Sequence, residues 1–286
     1  DPAITKESVH HFSKMVSGSP LKRPAWFFDT TQQGEGIVDV TTHLVDLVQW
    51  EAFPDVVLKK EDVALVSATR YEWNVMDIAI QQVGAIVVPL YPNISENEYR
   101  YIMNDAQIRI CVLANEELYG KISNIKGDVP SLEHVFSFEN IENCTSWTAL
   151  AIQGTEQNET EVHARMEVVK NEDLATIIYT SGTTGNPKGV MLSHKNILSN
   201  VEACTGTIPA DKNSKVLSFL PVCHIYERML HYLYMYIGCS IHFAESMDTI
   251  GDNIREVKPD VFSAVPRLIE KVFDKIMAKV LHECQN

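Results

Sequence analysis

Short apolar runs alternate with longer amphipathic stretches along most of this chain. Val63 to Val66, Ile86 to Leu90, Ile108 to Leu113 and Leu132 to Phe138 are runs rich in β-branched residues and read as strands. Tyr71 to Val83 and Glu116 to Ile125 carry the three-to-four periodicity of helices, and Ser95-Glu96-Asn97-Glu98 has the spacing of a capping box that opens another. Gln153 to Glu161 is polar and without period, and reads as a loop or boundary. The pattern then resumes. Leu174 to Tyr179, Val216 to Leu220, Ser240 to Phe243 and Val261 to Val265 read as strands, separated by helical stretches. Ser193 reads as the N-cap of one of these helices, and Arg267 begins another whose apolar stripe through Leu268, Ile269, Val272, Phe273, Ile276, Met277, Val280 and Leu281 reads as ordinary core packing. Strand–helix alternation of this kind predicts an α/β fold of layered parallel sheets flanked by helices.

Between the Leu174 strand and the Ser193 helix lies Thr180-Ser181-Gly182-Thr183-Thr184-Gly185-Asn186-Pro187-Lys188-Gly189. Seven of these ten residues are glycine or carry a hydroxyl, and one lysine stands near the end. Glycines let backbone N–H groups turn toward an anion, hydroxyls add donors, and the lysine supplies a positive charge. Such a stretch, read here as an exposed loop between strand and helix, suits a polyphosphate. Its order fits neither G-x-x-x-x-G-K-[ST] nor G-x-G-x-x-G, so neither a Walker NTPase nor a dinucleotide fold is indicated.

The net charge of −14 argues against nucleic acid or an anionic membrane as a general partner, so an anionic nucleotide would have to be attracted locally. With 45% hydrophobic and 22% charged residues the balance is that of a globular protein, and no stretch of 18 apolar residues predicts a membrane span. Cys111, Cys144, Cys204, Cys223, Cys239 and Cys284 are scattered without a C-x-x-C pair, which suits free thiols in a reducing compartment. His10, His11, His231 and His242 have no carboxylate or cysteine at ligand spacing and read as non-metal. The start at Asp1-Pro2-Ala3 lacks an apolar signal core and an initiator Met and reads as a trimmed terminus.

Tyr179 to Met191 (YTSGTTGNPKGVM) resembles, along its full length, the phosphate-binding signature of the adenylate-forming superfamily: acyl- and aryl-CoA synthetases, luciferases and peptide-synthetase adenylation domains. Arg70-Tyr71-Glu72-Trp73, Val88-Pro89-Leu90-Tyr91-Pro92 and Asn104 to Ile108 are similar to the early part of a bacterial-type long-chain fatty acyl-CoA synthetase, and the likeness extends from about Trp26 to about Lys279. The resemblance implies an enzyme that joins a fatty acid to CoA with ATP and Mg²⁺, an AMP-forming acid–thiol ligase. It implies that Thr180, Ser181, Gly182, Thr183, Thr184, Gly185 and Lys188 hold phosphates and that Thr180 helps to bind Mg²⁺.

His224, in Pro221-Val222-Cys223-His224, stands at a helix start where a histidine is more often structural. Here it resembles a segment that lines the acyl pocket, as does Ser263 to Arg267. Tyr232, Tyr234, Met235 and Tyr236 suit either an acyl channel or a plain core helix, and Glu227 beside Arg228 either an ion pair or a brace for His224.

By the same resemblance, residues 1–160 and 161–286 form two α/β subdomains of a large domain, the second incomplete. The adenine-stacking segment, the ribose-binding Asp, the hinge and the C-terminal small domain with its lysine are missing. This implies an N-terminal fragment that is inactive alone, from a cytoplasmic enzyme for which peripheral membrane contact stays open. Two other readings stay open: an adenylation domain for amino or aryl acids, and a non-catalytic module that binds nucleotide or fatty acid.

Overall fold

A computed structural model describes residues 13–16, 19–22, 62–150, 156–180 and 186–266, and positions 269, 270, 273 and 277. The readings made for residues 1–6, His10, His11, Ser181 to Gly185, Cys284 and the remaining positions of the Arg267 helix lie outside the described residues.

The strands are β1 (Ser13–Val16), β2 (Ser19–Lys22), β3 (Asp62–Val66), β4 (Ile86–Leu90), β5 (Ile110–Leu113), β6 (His134–Ser137), β7 (Thr145–Ser146), β8 (Leu174–Thr180), β9 (Lys188–Ser193), β10 (Lys215–Ser218) and β11 (Ser240–Phe243). The helices are α1 (Tyr71–Gln82), α2 (Glu96–Asp105), α3 (Glu116–Ile125), α4 (Trp147–Leu150), α5 (Glu156–Met166), α6 (His194–Cys204), α7 (Ile225–Ile237) and α8 (Ile250–Val257). Seven strands form one sheet in the order β7-β6-β5-β3-β4-β8-β9, parallel throughout except for the antiparallel pair β8–β9. This sheet takes strands from both sides of residue 160, while β10 and β11 make a separate parallel pair. The expected α/β class with mainly parallel sheets is the observed one.

β3 shows why its sequence reads as an unbroken apolar run. Val63 and Leu65 point to one face and pack with Trp73, Met76 and Ile80 of α1. Ala64 and Val66 point to the other and pack with Tyr99 and Ile102 of α2 and Ile122 of α3. A strand covered on both faces has no polar position to spare, and each fully buried Val or Leu contributes roughly 1.5–3 kcal/mol. The helix starts follow the sequence closely. The Ser95 hydroxyl accepts the Glu98 N–H at 3.2 Å and Glu98 accepts the Ser95 N–H at 2.9 Å, completing the capping box. Ser193 caps α6 in the same reciprocal way with Asn196.

Four expectations are corrected. Glu156 to Met166 is helix, not loop; Arg165 meets Glu161 at 2.6 Å one turn away, and Val162 supplies the buried contact. Val261 makes only an isolated bridge to Val216, and residues 262–265 form no strand. Lys188 and Gly189 belong to a strand, so the exit of the donor-rich stretch is the return arm of a hairpin. In the helix after Pro266, Ile269, Phe273 and Met277 are exposed rather than packed in a core.

Candidate functional site

Because β8 runs parallel to β4, its last residue, Thr180, lies at the carboxyl edge of the sheet, where ligands of open α/β folds gather. β9 returns antiparallel, with Thr180 opposite Lys188 and Tyr179 opposite Gly189. Directly opposed residues share a face about 5 Å apart, so Thr180 and Lys188 project together at the hairpin neck while Tyr179 and Gly189 face the other way. The connection runs from 181 to 187 between them. Lys188 is exposed, and no ion pair among the described residues engages it. Lys195, on α6, instead sits 3.6 Å from Glu172, both well exposed.

On the opposite face the Tyr179 ring lies across Gly189. A Cβ added there would stand 3.2 Å from the ring and 2.7 Å from Ile177 Cγ2, so the glycine is a packing requirement. The phenol donates to Asp105 Oδ2 at 2.5 Å. Burial first, and this hydrogen bond next, push the phenol pKa well up, which keeps Tyr179 a donor. Asp62, Asp105, Gln107, Tyr179, Gly189 and Met191 border an open depression of about 350 Å³.

The second segment sits at the same edge. After β10 the chain turns through Pro221 to His224 into α7. Thr69, just past β3, donates its hydroxyl to the Leu220 carbonyl at 2.6 Å and accepts the Val222 N–H at 3.2 Å. Tyr91, just past β4, meets the Cys223 thiol; burial and then that neighbour push the phenol up to about 12. His224 caps α7, its Nδ1 accepting the Tyr226 N–H at 3.2 Å. With Nδ1 used as acceptor, the neutral ring carries its proton on Nε2. His224 itself is exposed.

Buried polar contacts tie α7 to the phosphate strand. Arg228, 0% exposed, donates Nη2 to Asp77 Oδ1 at 2.5 Å, Nη1 to Thr176 Oγ1 at 2.6 Å and Nε to the Tyr232 hydroxyl at 2.9 Å. Burial alone would lower the guanidinium pKa; Asp77 and Tyr232 more than reverse this. Thr176 in turn donates to the Val87 carbonyl at 2.6 Å. Arg228 therefore pairs with Asp77, not with its neighbour Glu227. Glu227 accepts hydroxyls from Ser218 at 2.6 Å and Ser263 at 2.7 Å and lies 3.4 Å from His231, so it joins the Ser263 segment to α7 rather than bracing His224. Of the aromatic residues of α7, Tyr232 and Tyr234 are absorbed into polar and apolar packing and Tyr236 points outward. Asp77, Asp105 and Thr176 carried no signal in the sequence, because their partners lie 151, 74 and 52 positions away.

Among the described residues no group of three His, Cys, Asp or Glu side chains could cage a metal ion, and no helix is long and apolar enough to cross a membrane. Thr180 offers one oxygen, which fits an ion that keeps waters and phosphate oxygens as its other ligands.

A family model described as AMP-binding enzyme matches residues 57–284, most of the chain. The chain belongs to the AMP-binding enzyme family. A long-chain-fatty-acid–CoA ligase FadD15 of Mycobacterium bovis is 30% identical over 214 residues, 74% of this chain and 36% of that protein. The peroxisomal long chain acyl-CoA synthetase 6 of Arabidopsis thaliana is 30% identical over 231 residues, 76% of this chain and 32% of the relative. Family membership extends to the fold. The crystal structure of a long-chain-fatty-acid-CoA ligase (FadD1) from Archaeoglobus fulgidus superposes with a TM-score of 0.69 at 23% identity, over 83% of this chain and 46% of that one. The chain thus spans about a third of the length of the curated relatives it matches.

Proposed function

We propose that this chain is the phosphate-holding portion of a long-chain fatty acid–CoA ligase. The carrying observation is the hairpin neck at the sheet's carboxyl edge, where Thr180 and Lys188 face the same way across a donor-rich connection. In the reaction, a fatty acid carboxylate attacks the α-phosphate of ATP, giving acyl-adenylate and pyrophosphate. The CoA thiol then attacks the adenylate carbonyl, and AMP leaves. Both steps shift negative charge onto phosphate oxygens, which fixed donors stabilise without reorganising. Residues Ser181 to Gly185 supply backbone and hydroxyl donors to the phosphates, and Lys188 supplies the charge. Thr180 would give one oxygen to a Mg²⁺ ion bound with ATP, which would supply neutralisation of phosphate charge there. His224, its Nε2–H free of the helix cap, presents a donor on the acyl side.

Division of the large domain into two α/β subdomains belongs to the same proposal, supported by the separate β10–β11 pair. Free thiols at Cys111, Cys144, Cys204, Cys223 and Cys239 support a reducing, cytoplasmic setting. Since the chain spans about a third of its relatives' length, alone it acts as a nucleotide-binding module, and turnover belongs to the longer polypeptide. ATP–pyrophosphate exchange tests the reading, run on this chain and on a full-length relative with palmitate, amino acids and aryl acids. Palmitate-driven exchange by the relative, and Mg·ATP binding without acyl-CoA formation by this chain, are expected. Exchange supported by amino or aryl acids but not by palmitate would overturn the substrate class.

A further inference from the structure

The phenol of Tyr179 has no part in the chemistry just proposed, yet it joins the hairpin neck to a distant helix. β8 registers with β4 only at Val87–Thr176. Beyond Thr176, the registered partner of the segment from Ile177 to Thr180 is β9, the sheet's edge strand, while Ile177 and Tyr179 still pack against the core that holds Val88 and Leu90 of β4. The neck is therefore the outer edge of the sheet, where β9 is bonded on one side only and its twist is least constrained. Small changes in twist would swing Thr180 and Lys188 together.

Besides the packing of Ile177 and Tyr179, one hydrogen bond restrains that freedom. Tyr179 donates to Asp105 at 2.5 Å, and Asp105 is the last residue of α2. That helix end is itself held. Asn104 Nδ2 donates to the Arg100 carbonyl at 2.9 Å and the Asp128 carbonyl at 3.0 Å. The Ile108 N–H donates to the Met103 carbonyl at 2.9 Å, around Gln107 in the left-handed region (φ 52°). The ring reaches its acceptor by passing over Gly189, where any Cβ would push it or Ile177 aside. Ring, glycine and carboxylate thus form a continuous strap from hairpin neck to helix. We infer that Tyr179 and Asp105 form a clasp that sets the pitch of the neck, making Tyr179 a positioning residue for the Thr180–Lys188 pair. The clasp rests on the phosphate reading of that pair, and its test separates the two.

Amide hydrogen exchange at residues 188–191 is measured without ligand in wild type, Tyr179→Phe, Asp105→Ala, Asp105→Asn and the Tyr179→Phe/Asp105→Ala pair. Loss of one hydrogen bond's net contribution corresponds to about fivefold faster exchange in Tyr179→Phe and Asp105→Ala. The pair should exchange no faster than either single variant, because both remove one link. Asp105→Asn keeps an acceptor oxygen and should stay near wild type. Urea midpoints should barely move, since the contact lies at the surface. Mg·ATP affinity, read by calorimetry on the same proteins, should fall by a similar factor in the two singles. Unchanged exchange in both singles overturns the clasp. Faster exchange with unchanged Mg·ATP affinity overturns its positioning role. Wild type that fails to bind Mg·ATP while the exchange pattern holds removes the phosphate reading and leaves a clasp that positions nothing for it, which also overturns the inference.

Discussion

Replacing Asp77 by Ala should be among the most damaging single changes in this protein. The carboxylate is 2% exposed and takes two donors from a guanidinium that is 0% exposed, Nη2 at 2.5 Å and Nε at 3.2 Å. With Asp77 gone, Arg228 keeps only the neutral oxygens of Thr176 and Tyr232. An unpaired buried charge of this kind costs about 3–5 kcal/mol. Arg228→Met should cost a similar amount, because it strands the carboxylate instead. The pair Asp77→Leu/Arg228→Met strands no charge, and only the neutral groups of Thr176, Tyr232 and Gln81 are left short of a partner. It should therefore cost about 1–3 kcal/mol, well below the sum of the singles. Thr176→Val removes the hydrogen bond between Arg228 and β8 and should cost about 1–3 kcal/mol. Urea unfolding followed by tryptophan emission reads all four, and Trp73 reports locally, its ring centre 5.5 Å from the guanidinium. A double variant as costly as the two singles added, or a single costing under about 1 kcal/mol as surface ion pairs do, would refute the account of this network.

In a full-length relative carrying these residues, the Lys188→Ala change should slow adenylation at least roughly tenfold, below the 10²–10³ typical of a lost preorganised donor. Lys195→Ala, which removes a lysine paired 3.6 Å from Glu172 at the surface, should match wild type, and equal exchange rates for the two would exclude Lys188 from the site. Burial pushes the Asp62 carboxyl from its ordinary 3.8 up to about 6. The folded state thus binds a proton more tightly than the unfolded one, so this group's contribution falls as pH rises from about 4 to about 6 and stays low above that. Asp62→Asn should raise the melting temperature at pH 7 more than at pH 4, and an equal shift at both would refute the assignment. Gly189→Ala should destabilise by about 1–3 kcal/mol through overpacking, with Ile177→Ala recovering part of the loss, as read by urea midpoints.

Much of this was legible in the linear sequence, wherever the controlling interactions are local. Buried strands such as Val63 to Val66 announce themselves because both faces are covered. Ser95 and Ser193 announce helix starts because a cap bonds three residues along. The donor-rich run from Thr180 to Lys188 is legible because phosphate chemistry needs those residue types together. The polar helix α5 escaped notice because a single face, through Val162 and Met166, meets the core; the rest of its surface is solvated and lacks an apolar period. β9 escaped because an edge strand shows no two-sided apolar run.

Only the tertiary structure decided that Lys188 stands across from Thr180, that Gly189 is empty so that the Tyr179 ring can cross it, and that Arg228 looks to Asp77 rather than to adjacent Glu227. Residues three or four apart on a helix find each other through helix geometry alone. Residues 74 or 151 apart meet only after sheet and helices have packed, so no local pattern records them. Residue chemistry and local order were written in the sequence; which polar groups share a buried space was settled by the packing of layers.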